Sequence, residues 1–151
     1  MTFNPRTLAV ILHDLAAAIL AWMAAYWLRL NLNLPPEYLD AALATLVWVV
    51  PLQALIFWGF GLYRGIWRFA SLPDLKRIMF AVGLSALVIP LGLFLFRVSV
   101  VVPRSVLILD PMLLILIMGG SRLAYRAWKE HRLSGVLHLN RVNNILSIGY
   151  Y

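Results

Sequence analysis

Four apolar runs, at residues 8–28, 41–62, 78–96 and 105–121, constrain this chain more than any other feature. The hydrocarbon core of a bilayer is about 30 Å thick and an α-helix rises about 1.5 Å per residue, so a crossing takes about 20 apolar residues. The fourth run is the shortest, and Arg104 and Arg122 at its ends are placed to snorkel outward and extend it. In lipid each backbone amide must be satisfied within its own segment, and none of the runs alternates with period two, so each is expected to be a helix and not a barrel strand. With 63% of its 151 residues hydrophobic and 13% charged, a soluble fold would have no place to hide so much apolar surface. The expected fold is all-α: an integral membrane four-helix bundle over residues 1–133, then a linker at 134–151.

The charges fix an expected orientation. Arg6, then Arg64, Arg68, Lys76 and Arg77, then Arg122, Arg126, Lys129, Arg132 and Arg141 put ten basic residues on one side, and Arg29, Arg97 and Arg104 put three on the other. Cytoplasmic flanks carry such an excess, so both termini and the 63–77 connection are expected inside, with 31–40 and 98–103 outside. Trp22, Tyr26, Trp27, Trp58, Tyr63, Trp67, Tyr125 and Trp128 lie mostly near run ends, where amphipathic rings anchor at headgroup level; Trp48 has no such place. The first run is longer than a cleavable signal core and carries His13 and Asp14, so it reads as a retained helix. The net charge of +7 is spread between apolar runs and not clustered on one soluble face, which argues against a nucleic-acid partner. The absence of cysteine excludes disulfides, thiolate metal sites and a cysteine nucleophile.

Polar residues inside the runs are the candidate sites. Asp14 is costly at membrane depth and should face the bundle interior, and Ala17, Ala18, Ala21 and Ala25 follow it at helical spacing as a small-residue stripe. With His13 beside it, Asp14 suits an interhelical hydrogen bond or ion pair; a proton or substrate site is the sharper alternative. Asp110 precedes Pro111, which suits a kinked, protein-facing helix, with an ion site as the alternative. Pro51 with Gln53, and Pro90 with Gly83 and Ser85, read as kinks and close-packing points. In the middle connection Tyr63, Arg64, Trp67 and Arg68 interleave basic and aromatic groups, a pattern that suits anionic headgroups. Ser71, Pro73 and Asp74 read as the cap and first turn of a helix. Past the fourth run, residues 131–141 look like a loop and 142–149 like a short strand. His13, His131 and His138 are too dispersed for a metal site, and no Gly-x-Gly-x-x-Gly turn, Walker loop or nucleophile elbow occurs, so the chain alone is not expected to be an enzyme.

Asp14 with Arg29 at the ends of the first helix, the block Gly61-Leu-Tyr-Arg-Gly-Ile-Trp-Arg-Phe-Ala-Ser, and Val102-Pro-Arg-Ser-Val-Leu-Ile-Leu-Asp followed by Gly120-Ser-Arg-Leu-Ala-Tyr-Arg form a pattern over residues 5–135. It resembles the amino-terminal membrane region of bacterial polysaccharide-biosynthesis nucleotide-sugar epimerases and 4,6-dehydratases, the CapD-like family. The resemblance implies a multi-pass protein of the bacterial inner membrane whose helices are followed by a cytoplasmic Rossmann domain that binds NAD(P) and a nucleotide sugar. Ile145-Leu-Ser-Ile-Gly149 sits where the first strand and glycine of that domain would stand, but the chain continues Tyr150-Tyr151 and stops. It is therefore expected to be an anchor without its catalytic domain, with no catalytic, cofactor-binding or metal residues of its own; the expected partners are the lipid bilayer and that domain, and a homo-oligomer is compatible with this reading. Two other readings stand: the membrane region of a polyprenyl-phosphate glycosyl-1-phosphate transferase, and a small proton-coupled transporter using Asp14.

Overall fold

The computed structural model describes residues 5–63, 72–96 and 102–148, with side chains at all of these except 6, 72 and 134–148. It is all-helical: α1 (Pro5–Arg29), α2 (Pro36–Gly59), α3 (Leu72–Leu95) and α4 (Arg104–Ile148). Each contains a stretch long and apolar enough to cross a membrane, at Thr7–Arg29, Pro36–Gly59, Pro73–Leu95 and Arg104–Leu133.

The helices extend beyond the apolar runs because polar turns at their ends also satisfy helical hydrogen bonds. Thus α2 begins at Pro36, five residues before the run at 41: Pro35 is extended (φ −60°, ψ 150°), Pro36 occupies the first turn where no amide partner is needed, and Glu37 sits favourably at the positive end of the dipole. At its other end the Leu62 amide donates to the Phe57 carbonyl at 3.1 Å and the Gly61 amide to Trp58 at 2.9 Å, with Gly61 at φ 69°. That is a Schellman stop, and its customary apolar contact is present, since Leu62 and Phe57 are buried in one cluster. The helix therefore ends at Gly59, not at 62. α1 stops the same way, through Leu32 to Trp27 at 2.9 Å and Asn31 to Leu28 at 3.3 Å, with the Trp27 indole donating to the Leu32 carbonyl.

The helices form a square in which α1 packs on α2 and α4, and α3 packs on the same two; among the described residues the diagonal pairs have no close backbone approach. Ala17, Ala18, Ala21 and Ala25 are all buried, as the stripe after Asp14 implied. Two apolar clusters fill the square. One lies toward the end that holds the start of α3, termed the basic end; it includes Ala17, Ala18, Ala21, Phe57, Leu62, Ile78, Val82, Leu114 and Met118. The other, at the far end, includes Trp22, Ala25, Tyr26, Ala42, Val49, Ile89 and Val106. Trp22 and Tyr26 are thus core residues and not interface anchors: their rings meet edge-on at 5.7 Å, and the Trp22 indole finds a buried acceptor in the Thr45 hydroxyl at 3.2 Å. Trp27, Trp58, Tyr125 and Trp128 do face outward, as does Trp48.

Two expectations about the fourth helix are corrected. The chain from 131 to 148 is neither loop nor strand but a continuation of α4, which runs 45 residues without a break. Extending a nucleated helix adds one hydrogen bond per residue, whereas an isolated strand at 142–149 would have no edge to pair with among the described residues. Arg122 does not snorkel outward; it is 6% exposed and turns into the bundle, while Arg104 is exposed. Past Arg122, every residue with a described side chain up to Leu133 is exposed except the half-buried Lys129, so α4 leaves the bundle there. Ser71, the expected cap of α3, lies outside the described residues, but Asp74 does stand in the first turn.

Gly61→Val should lower the stability of the purified bundle by about 1–2 kcal/mol, because the left-handed φ costs a β-branched residue roughly that much. Thermal unfolding in detergent measures it, and Gly61→Asn should lose less.

Candidate functional site

The described polar side chains buried in the bundle gather mainly at two levels. At the basic end the Arg122 guanidinium forks between helices: Nη2 donates to Asp14 Oδ2 at 3.3 Å and Nη1 to Asp74 Oδ2 at 3.2 Å. Asp14 is fully buried and the Asp74 side chain is 19% exposed. Asp14 Oδ1 meets His13 Nδ1 at 3.1 Å, with the imidazole partly exposed at the bundle surface. Because α1 and α3 are diagonal to one another, Arg122 on α4 links two helices whose backbones make no close approach among the described residues. A planar guanidinium with several fixed donors can serve two carboxylates at once, which a lysine ammonium does less well.

Tyr63 belongs to this end. The turn after Gly61 packs its ring against the basic-end cluster, and its buried hydroxyl has no hydrogen-bond partner among the described residues. Burial pushes the phenol up to about 12, helped by the Asp14 carboxylate and opposed by the Arg122 guanidinium. The Arg122 Nε–H is likewise buried and unpartnered. Arg64, Trp67 and Arg68, the other candidates of the middle connection, lie outside the described residues.

The second level crosses the centre. Gln53 Nε2 donates to Asp110 Oδ2 at 2.9 Å, from α2 to α4 along the other diagonal. Asp110 sits between Val106 of one apolar cluster and Leu114 of the other, and Gln53 between Val49 and Phe57 in the same way. Ser85 on α3 occupies the same boundary, between Val82 and Ile89, and donates to the Val82 carbonyl at 2.7 Å. Asp14 and Asp110, though both turned inward as expected, are therefore in separate networks.

No protein-family model, curated protein or solved structure matches this chain. What the buried groups can do must be read from their chemistry. Among the described residues no three His, Asp or Glu side chains are placed to hold a metal ion. Asp14 has both oxygens engaged, which favours the packing role over a loading site. The sequence reading missed Arg122, Asp74 and Gln53 as members of these networks. A signal for Arg122 was present: Val106, Asp110, Leu114, Met118 and Arg122 recur every fourth residue, and all are buried.

Arg122→Met should destabilise the bundle by about 3–5 kcal/mol, the usual cost of removing one partner from a buried ion pair, since it strands the Asp14 carboxylate. Asp74→Asn should cost clearly less, because Asp74 reaches solvent. Chemical unfolding in mixed micelles ranks the two. Tyr63→Phe removes a hydroxyl with no partner and should leave stability unchanged or slightly higher. The raised phenol favours the folded state while protonated, so that contribution is complete below the ordinary tyrosine value near 10 and is lost as pH rises toward about 12. Ultraviolet titration of tyrosinate against the Tyr63→Phe variant should display the late step.

Proposed function

We propose that this chain is a membrane anchor, the helical front region of a nucleotide-sugar 4,6-dehydratase or epimerase of polysaccharide biosynthesis. In this reading it lies in a bacterial inner membrane with its basic end in the cytoplasm. Two features support the bilayer. Large apolar side chains face out while charged and amide groups turn in: Leu55, Phe80, Leu87 and Phe94 are each at least 68% exposed while Asp14, Gln53 and Asp110 are buried. Water would tolerate no such exterior, since soluble proteins expose apolar patches of only a few hundred Å². Ten basic residues at one end against three at the other favour a cytoplasmic basic end.

The observation that carries the anchor role is the length of α4. At about 1.5 Å per residue its 45 residues span about 66 Å, twice what a hydrocarbon core requires, and the surplus emerges at the basic end. A helix continuous with the bundle would hold whatever follows at a fixed distance from the membrane surface. In this reading the cargo is the one implied by the resemblance of residues 5–135 to the CapD-like membrane region: a Rossmann domain using NAD(P) and a nucleotide sugar. Keeping such a domain against the inner leaflet would deliver its product where lipid-linked sugars are assembled.

The lack of native cysteine makes the topology directly measurable. In intact cells Asn33→Cys should react with a membrane-impermeant maleimide and Glu130→Cys only after permeabilisation; the reverse pattern contradicts the orientation. Removing the coding region for residues 1–133 from a reading frame that includes the catalytic domain should move dehydratase activity to the soluble fraction and reduce polysaccharide output. Undiminished output from the soluble form would contradict the anchor role.

A further inference from the structure

The centre of the bundle holds two unanswered acceptors. Gln53 and Asp110 are 0% and 2% exposed, and once the Gln53 amide has donated to Asp110 Oδ2, both Gln53 Oε1 and Asp110 Oδ1 remain buried without a hydrogen-bond partner among the described residues. If the carboxyl were ionised, each of these oxygens would need a donor and neither has one, and a full negative charge would lie between two apolar clusters. From the geometry we infer that Asp110 is a proton-binding site: Oδ1 carries a proton and donates it to Gln53 Oε1, so that acid and amide form a neutral two-point pair across the diagonal of the square. One proton answers both acceptors and removes the charge, and unlike a metal ion or a water it needs no additional room.

Among the described residues no charged group replaces the proton. On α4, Arg104 is exposed about 9 Å along the helix, and Arg122 lies about 18 Å the other way, already held by Asp14 and Asp74. On α1 the ionisable groups with described side chains are His13 and Asp14 in that same cluster, the Tyr26 phenol packed on Trp22, and exposed Arg29 at the helix end. α2 carries Glu37, Tyr38 and Asp40 only in its first turns, and α3 carries Asp74, Lys76 and Arg77 near its start. The neutral pair therefore differs in kind from the ionic one at the basic end, and it holds whether or not the bundle carries a catalytic domain.

Infrared spectroscopy of the purified full chain, with and without carbon-13 aspartate, tests it. At neutral pH the wild type should show a protonated carboxylic-acid carbonyl band that moves on aspartate labelling, persists in Asp14→Asn, disappears in Asp110→Asn and changes frequency in Gln53→Leu, which removes the hydrogen-bonding amide. Absence of the band in the labelled wild type, its survival in Asp110→Asn, or a frequency unmoved by Gln53→Leu would overturn the assignment. Should Asp110→Asn fail to fold, the labelled wild type and Gln53→Leu still decide the question.

Discussion

The buried guanidinium of Arg122 is the contact on which the arrangement of the helices turns. It sits on α4, the helix that touches both α1 and α3, and it joins the carboxylates of those two non-neighbouring helices. A charge withdrawn from water costs several kcal/mol unless it is matched, so Arg122 and Asp14 each make the other tolerable only in one geometry. That requirement is a stronger constraint on register than apolar packing, because lipid tails and leucine side chains compete on equal terms for an apolar surface. Small residues complete the arrangement: the alanines of α1 allow close approach, and the carbon that would replace a hydrogen at Gly119 would come within 3.3 Å of Leu75 on α3.

The square is thus tied across both diagonals, at different levels and by different chemistry. The ionic tie lies at the basic end, close to where Asp74 and His13 reach the surface, so a bulk solvent or headgroup can share the burden of charge. The amide–carboxyl tie lies between the two apolar clusters, where only a neutral pair is cheap to bury. Placing charge shallow and neutral polarity deep is what a bilayer solvent demands of a bundle interior. The same bundle gives α4 a firm base from which its remaining turns project.

The sequence makes the helices legible and the ties only half so. Four apolar runs locate four helices, since length and hydropathy are direct readings of the solvent. The inward face of α1 is equally plain, because Asp14 and the alanines share a helical stripe. The apolar runs by themselves do not mark the helix ends, and fall six residues short at the start of α3, where Pro73 and Asp74 mark the first turn, because such ends are set by local hydrogen bonds and not by apolarity. Arg122 was read as a flanking charge for a different reason. A basic residue at the edge of a run looks the same whether it turns out, as Arg104 does, or in; only the partner on another helix decides, and pairing between distant segments leaves no mark in one sequence. The tail of α4 misled through composition, its β-branched and polar residues suggesting a strand where the preceding helix simply continues.

A double-mutant cycle on Asp14→Asn and Arg122→Gln measures the central contact most directly. The two substitutions together should cost much less than the sum of their separate effects, with a coupling of about 2–3 kcal/mol in the purified bundle. Strictly additive losses would mean that the two charges are not joined in the folded protein, and the account built on their pairing would fall.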